Sequence, residues 1–210
     1  MSEVIHEYRK KYPIIRLSVA KELSHGICVS NLAYHVAKEL KMPEDECHKL
    51  AVAGLLHDIG KLELSRFVNG QERETLTIEE MKYVRWHAKL GAEILQKQGY
   101  PQDIVEMVCY HHENCDGSGY PRNLTREDIP FGARILRVCD VFAALTSDRP
   151  YRKSFDVETA MELMIEEAKN YDLQVFLAFM RVVHSDDLPE ILEKQGTEEQ
   201  LAYWTRGLEL

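Results

Sequence analysis

Along most of the chain apolar residues recur every three or four positions, the spacing that lines one face of an α-helix, and no segment shows a convincing alternation of period two. This pattern predicts an all-α protein. Pro13 starts a helix to about Ser24, and a second runs from about His25 to Lys41. A third spans about Asp45 to Ile59. A charged polar stretch follows, and then Thr77 and Glu80, at capping-box spacing, open a long helix to about Gln98. Gly99 and Pro101 stop that helix. The short helix DIVEMVCYHH leads into the glycine-rich loop CDGSGYP, and Pro130 opens FGARILRVCDVFAALTS. Asp156 and Asp172 read as N-caps of two further helices. The stretch from Ser185 to Leu210 reads as an acidic helical tail. The expected organisation is an N-terminal helical segment over 1–24, a central domain over 25–184 and a C-terminal helical tail over 185–210.

Composition changes this picture little. The 210 residues can bury one sizeable core, and 45% hydrophobic with 29% charged residues is ordinary for a globular protein. No apolar run approaches the roughly 18 residues that span a bilayer. The N-terminus lacks the apolar stretch of a secretory signal, so a cytoplasmic location without membrane attachment is expected. Five cysteines, odd in number and without a CxxC pair, predict reduced thiols rather than a disulfide framework. A net charge of −9 argues against nucleic-acid polymers and anionic membranes as partners, yet leaves room for a small phosphorylated substrate.

The chemistry lies in five histidines and two aspartates at helix ends or inner faces: His25, His57, Asp58, His87, His111, His112 and Asp140. Seven imidazole and carboxylate donors are more than one ion needs, and they suit a dinuclear site bridged by a carboxylate. Asp140 sits inside the apolar run ARILRVCDVFAAL. An unpaired carboxylate there would cost several kcal/mol, a penalty that a cation removes. Blander readings exist for single members. His111 and His112 could form an ordinary helix C-cap favoured by the dipole. His87, read as mid-helix, and His25 could be satisfied packing histidines. His6, His35, His48 and His184 lack such company and read as surface or packing residues.

Four stretches carry a resemblance: LLHDIGK, the histidine in WHAKLGAEIL, HHENCDGSGYP, and IPFGARILRVCDVFAALTSDRPYRKS. Together they make the chain, from about His25 to Phe179, resemble the HD-GYP subgroup of the HD-domain metal-dependent phosphohydrolases. The resemblance implies an all-helical HD-domain bundle with a buried dinuclear site holding two divalent ions, iron or manganese. It implies hydrolysis of the bacterial second messenger cyclic di-GMP to pGpG or GMP, with the metals generating hydroxide at neutral pH. The seven residues above become the metal ligands, with Asp58 as bridge, and Asp58 and Lys61 the catalytic pair, Lys61 meeting the scissile phosphate. Arg149 and Arg152 become contacts to phosphate and guanine; read without the resemblance, these arginines and Lys153 are a solvated basic patch beside a proline turn. Gly119, Tyr120 and Pro121 become one wall of the substrate site and a surface for GGDEF-domain partners.

The chain departs from the pattern in places. Lys21 stands where some members carry a glutamate tied to a third metal, so two ions are expected. Ala143 replaces an aspartate common three residues after the Asp140 position, and the stretch from Leu62 to Thr75 differs in composition and length. These departures motivate two alternatives. One is a metal-holding adaptor that binds a cyclic dinucleotide with little turnover; the other is a phosphohydrolase with another nucleotide substrate.

Overall fold

The computed structural model describes residues 19–66, 85–148 and 153–193. Nine α-helices are formed among the described residues, in the order α1 (Val19–Glu39), α2 (Glu44–Leu56), α3 (Ile59–Arg66), α4 (His87–Lys97), α5 (Gln102–Tyr110), α6 (Phe131–Leu145), α7 (Val157–Glu166), α8 (Leu173–Val183) and α9 (Leu188–Glu193). A 3-10 turn, Ala168–Asn170, precedes α8. Among the described residues the one β-type pairing is an isolated bridge between Asp116 and Thr125. The all-α expectation holds.

Local signals set several helix starts. Pro43, Pro101 and Pro130 immediately precede α2, α5 and α6, and each carbonyl accepts the first helical hydrogen bond, from Cys47, Val105 and Arg134 respectively. Their fixed φ holds the chain extended up to the first helical residue. Asp156 caps α7 by accepting from the Thr159 amide, and Asp172 caps α8 by accepting from Gln174 and Val175. Gly99, at φ 77°, ends α4.

Helix α6 forms the centre. Ile135, Leu136, Val138, Cys139 and Phe142 are fully enclosed, and Phe142 meets Phe179 of α8 edge to face at 5.2 Å. Helix α1 packs on α2, α6, α8 and α9, while α3 lies on α4 and α4 on α5. Two small residues let α1 and α2 approach closely. A Cβ on Gly26 would stand 2.7 Å from the Leu55 carbonyl oxygen, and one on Gly54 would stand 2.9 Å from the Ser30 Cα. This contact brings His25 beside the end of α2. No disulfide joins the cysteines, and Cys28, Cys47 and Cys139 are buried.

Three boundaries differ from expectation. Helix α1 continues unbroken through Ser24 and His25, because Gly26 serves helix packing rather than a turn. The helix expected to end near Ile59 stops at Leu56; His57 is its C-cap and a new helix starts at Ile59. His87 is the first residue of α4, after a turn at Arg85 and Trp86, rather than a mid-helix position. Pro13, the Thr77–Glu80 capping box and residues 194–210 of the tail lie outside the described residues. The part of the tail that is described, α9, buries Leu188 and Ile191, and the Ile191 carbonyl accepts from Asn31 of α1 at 3.1 Å.

Candidate metal centre

The chain interrupts its helices where the chemistry is needed. His57 caps α2 and Asp58 occupies the turn before α3; His87 opens α4; His111 caps α5 with His112 directly after it. His25 and Asp140 come from within α1 and α6. Side chains from five helices and their junctions thus converge on one point, and all seven predicted residues are brought together. His25, His57, Asp58, His87, His111 and Asp140 are buried, and His112 is half-buried.

The distances describe a tight cluster. His25 Nε2 lies 3.0 Å from Asp140 Oδ1 and 3.8 Å from Asp58 Oδ2. His57 Nε2 lies 3.2 Å from Asp58 Oδ2 and 3.6 Å from Asp140 Oδ1. On the other side, His87 Nε2 is 3.1 Å from Asp58 Oδ1, 3.4 Å from His111 Nε2 and 3.1 Å from His112 Nε2. Three sets have donor atoms within 4.8 Å of one another: Asp58 with His87, His111 and His112; His25, His57 and Asp58; and His57, His111 and Asp140. Asp58 belongs to two of them and turns a different oxygen to each. That is the arrangement a bridging carboxylate requires.

Hydrogen bonds settle which imidazole nitrogen faces inward. His57 Nδ1–H donates to the Gly54 carbonyl at 2.7 Å, and His111 Nδ1–H donates to the Val108 carbonyl at 2.6 Å. Both rings are thereby turned with Nε2 toward the cluster. His57 Nε2 and Asp58 Oδ1 are buried and have polar neighbours at 3.2 and 3.1 Å, yet neither makes a hydrogen bond. Proximity without hydrogen bonding is costly in a low-dielectric interior, and lone pairs aimed at a common point are what a cation would satisfy. The donor set therefore fits a pair of divalent ions.

Burial pushes the Asp58 and Asp140 carboxyls up, but neighbours outweigh it, and both are held well below the usual carboxylate range. For Asp58 these neighbours are His57 and Lys61; for Asp140, His25 and His57. Burial opposes a charge on His57, yet Asp58 and Asp140 lift its pKa to about 10. Burial and the charge on His57 press His111 down to about 3. A proton on His57 Nε2 and a cation there exclude one another, whereas His111 is neutral and offers its lone pair directly.

Lys61 lies on the first turn of α3. Its Nζ donates to Asp58 Oδ2 and stands 3.4 Å from Glu22 Oε2. The glycine-rich loop closes another side. Tyr120 stacks on His112 with centroids 4.6 Å apart, its amide donates to the His112 carbonyl at 3.1 Å, and the Arg85 guanidinium lies over its ring at 5.1 Å. Gly119 is buried, and a Cβ there would overlap the backbone of Glu113 and Asn114. Its contribution to a wall is the backbone path it permits, while Pro121 is exposed. Arg149 and Arg152 lie outside the described residues, as does most of the divergent stretch after Leu62. Ala143 is enclosed in the apolar core.

Sequence reasoning passed over Glu113 as a functional residue. It is 2% exposed, and its carboxylate accepts from the amides of Arg122 at 2.6 Å and Leu124 at 2.9 Å, fastening the loop just after His112. The available signal was its place between a histidine pair and a glycine-rich loop. Glu113→Ala is expected to lower unfolding free energy by roughly 2–4 kcal/mol, because two charge-assisted hydrogen bonds are lost. Urea denaturation measures the loss, and amide exchange across 119–124 should quicken in the same variant.

With this geometry in view, known proteins offer comparison. The HD domain family profile matches residues 9–175. A cyclic di-GMP phosphodiesterase of Pseudomonas aeruginosa is 38% identical over 173 residues, covering 81% of this chain and 42% of that protein. The cyclic di-GMP phosphodiesterase response regulator RpfG of Xanthomonas campestris is 34% identical, covering 86% of this chain and 50% of its own length. A 3'3'-cGAMP-specific phosphodiesterase of Vibrio cholerae is 35% identical, over 75% of this chain and 37% of that protein. The chain thus spans about half or less of the length of these relatives. Among solved structures, an HDG"Y"P protein from Bdellovibrio bacteriovorus superposes with a TM-score of 0.65 at 21% identity, covering 88% of this chain and 58% of that one. A profile match over most of its length, and a helical architecture shared with that structure, mean that the chain belongs to the HD domain family.

Proposed function

We propose that the protein is a metal-dependent phosphodiesterase that hydrolyses cyclic di-GMP to pGpG, GMP or both. The observation that carries this reading is Asp58 turning one oxygen to each of two imidazole sets. We assign His25, His57, Asp58, His87, His111, His112 and Asp140 as ligands of two divalent ions, iron or manganese. When bound, such a pair supplies a nucleophile at neutral pH and Lewis acidity at the phosphoryl oxygens.

The chain's own residues do the rest. Asp58 and Asp140 bring negative charge to balance the cations, and the Gly54 and Val108 carbonyls keep His57 and His111 aimed inward. Lys61 adds a fixed positive charge beside the centre, where it meets the phosphodiester as negative charge develops. Tyr120, braced between His112 and Arg85, forms part of one wall of the substrate site. Arg149 and Arg152 are assigned forked contacts to phosphate and guanine. The exposed side of the GYP loop, at Ser118, Pro121 and Arg122, is the surface assigned to a GGDEF-domain partner. Among the described residues no helix is long and apolar enough to cross a membrane.

Relatives named as 3'3'-cGAMP-specific phosphodiesterases, at 32–35% identity, favour one further substrate, the hybrid cyclic dinucleotide. One experiment addresses both. Protein purified anaerobically and loaded with Mn²⁺ or Fe²⁺ is given each cyclic dinucleotide, and products are separated by chromatography. The expected result is linear dinucleotide or mononucleotide from cyclic di-GMP, abolished by a chelator and restored by metal. A higher kcat/KM for 3'3'-cGAMP would reassign the substrate. Tight cyclic di-GMP binding without product from either compound over hours would replace the enzyme with an adaptor.

A further inference from the structure

We infer that Glu22 is a positioning residue for Lys61: its carboxylate draws the ammonium off Asp58 so that cation and lysine can both occupy the centre. The inference deepens the proposed function and rests on it.

Among the described residues, Lys61 Nζ meets the carboxylates of Asp58, at Oδ2, and Glu22, at Oε2, the latter at 3.4 Å. Asp58 Oδ2 is also the oxygen that faces His57 Nε2 at 3.2 Å and His25 Nε2 at 3.8 Å. The ammonium therefore competes for an atom that belongs to one of the donor sets. A divalent cation and an ammonium sharing one carboxylate oxygen would repel each other strongly at such range. Lys61 must give ground when the set fills, and it needs a carboxylate within reach to do so without becoming an unpaired, mostly enclosed charge. Glu22 meets that need. It lies on α1, three residues before His25, so it shares that residue's helix face. It belongs to none of the three donor sets. Ala143 lacks a carboxylate and sits in the apolar core, so it supplies nothing in its place. The side chains of Glu22 and Lys61 are 18% and 19% exposed, closed enough for the pair to escape most solvent screening.

The test is a double-mutant cycle on the full chain with two readouts, Mn²⁺ affinity by competition against a chelating dye and turnover of cyclic di-GMP. Glu22→Gln is expected to weaken Mn²⁺ binding and lower kcat, each by about tenfold, as for other lost outer contacts. In a Lys61→Met background the same substitution should change either quantity by about twofold or less, because the partner it acts through is gone. Glu22→Asp keeps the charge but loses reach, and should behave like Glu22→Gln. Lys61→Gln serves if the methionine variant does not fold by circular dichroism. Equal losses in both backgrounds, or a metal count that falls by one in Glu22→Gln, would make Glu22 a general field or a direct ligand and overturn the inference. If the wild-type protein binds Mn²⁺ but turns nothing over, the proposed function fails, while coupling in Mn²⁺ affinity still decides the role of Glu22.

Discussion

Asp58→Ala should leave a folded protein whose turnover is down by at least about a thousandfold and whose metal content is reduced at both positions. Outer-shell substitutions already cost 10–100-fold in affinity or activity, and a shared ligand acts on two cations at once, so losses of roughly that size compound. The residue also sets the electrostatics of its surroundings. Without it, His57 loses the carboxylate whose charge most favours its proton, and Lys61 loses its nearest partner. Asp58→Asn separates shape from charge. The amide fills the same space but presents no anionic oxygen to either donor set, so it should resemble the alanine variant in metal content and rate. Elemental analysis after anaerobic loading, set beside kcat, is the measurement. A variant that keeps both metals and wild-type kcat would remove the bridging role, and with it the basis of the proposed function. Asp140→Ala makes a useful comparison, since Asp140 joins only one of the three sets and should affect metal content less.

The contrast between Asp58 and its neighbours shows what was legible in the sequence. The seven clustered residues could be named because imidazoles and acids recur at helix ends or inside apolar segments, each weak alone but not in company, and six of the seven are buried. Helix starts were legible where one residue decides them, as at Pro130, Asp156 and Asp172. What the sequence concealed depends on contacts between distant segments. Ser24–His25–Gly26 looks locally like a junction, but Gly26 is there to admit the Leu55 carbonyl, and α1 runs straight through it. His87 fitted a helical period equally well in mid-helix or at a helix start; only the turn at Arg85 and Trp86 distinguishes them. Glu22 gains its role from a lysine 39 residues away, and Glu113 from amides nine and eleven residues on. Periodicity reports which face is buried; it carries no information on which buried or half-buried polar atoms will meet.

Gly60→Ala should be among the most disruptive single-methyl additions in the protein, costing about 3–5 kcal/mol and displacing His87. Gly60 lies on the first turn of α3, between Ile59 and Lys61, where α3 crosses the start of α4. A Cβ at this position would collide with the His87 carbonyl oxygen and stand 2.7 Å from the Gly91 amide nitrogen. Both obstacles are backbone in a helix, so neither can swing aside as a side-chain end could. Overpacking a core usually costs 1–3 kcal/mol, and a collision with rigid backbone exceeds the cases that relax. Relief requires α4 to slide away from α3, and His87 is the residue nearest the collision. Its Nε2 would leave Asp58 Oδ1, now 3.1 Å away, and metal held by the Asp58, His87, His111 and His112 set should be lost first. Gly99→Ala is the matched control. Gly99 has φ 77° and nothing within 4 Å of a built Cβ, so its cost is the left-handed backbone alone, about 1–2 kcal/mol. That variant should keep its metals and its kcat. Thermal melts with metal analysis on both proteins test the argument: similar small losses in each would mean that the approach of α3 to α4 is slack, and that Gly60 does not place His87.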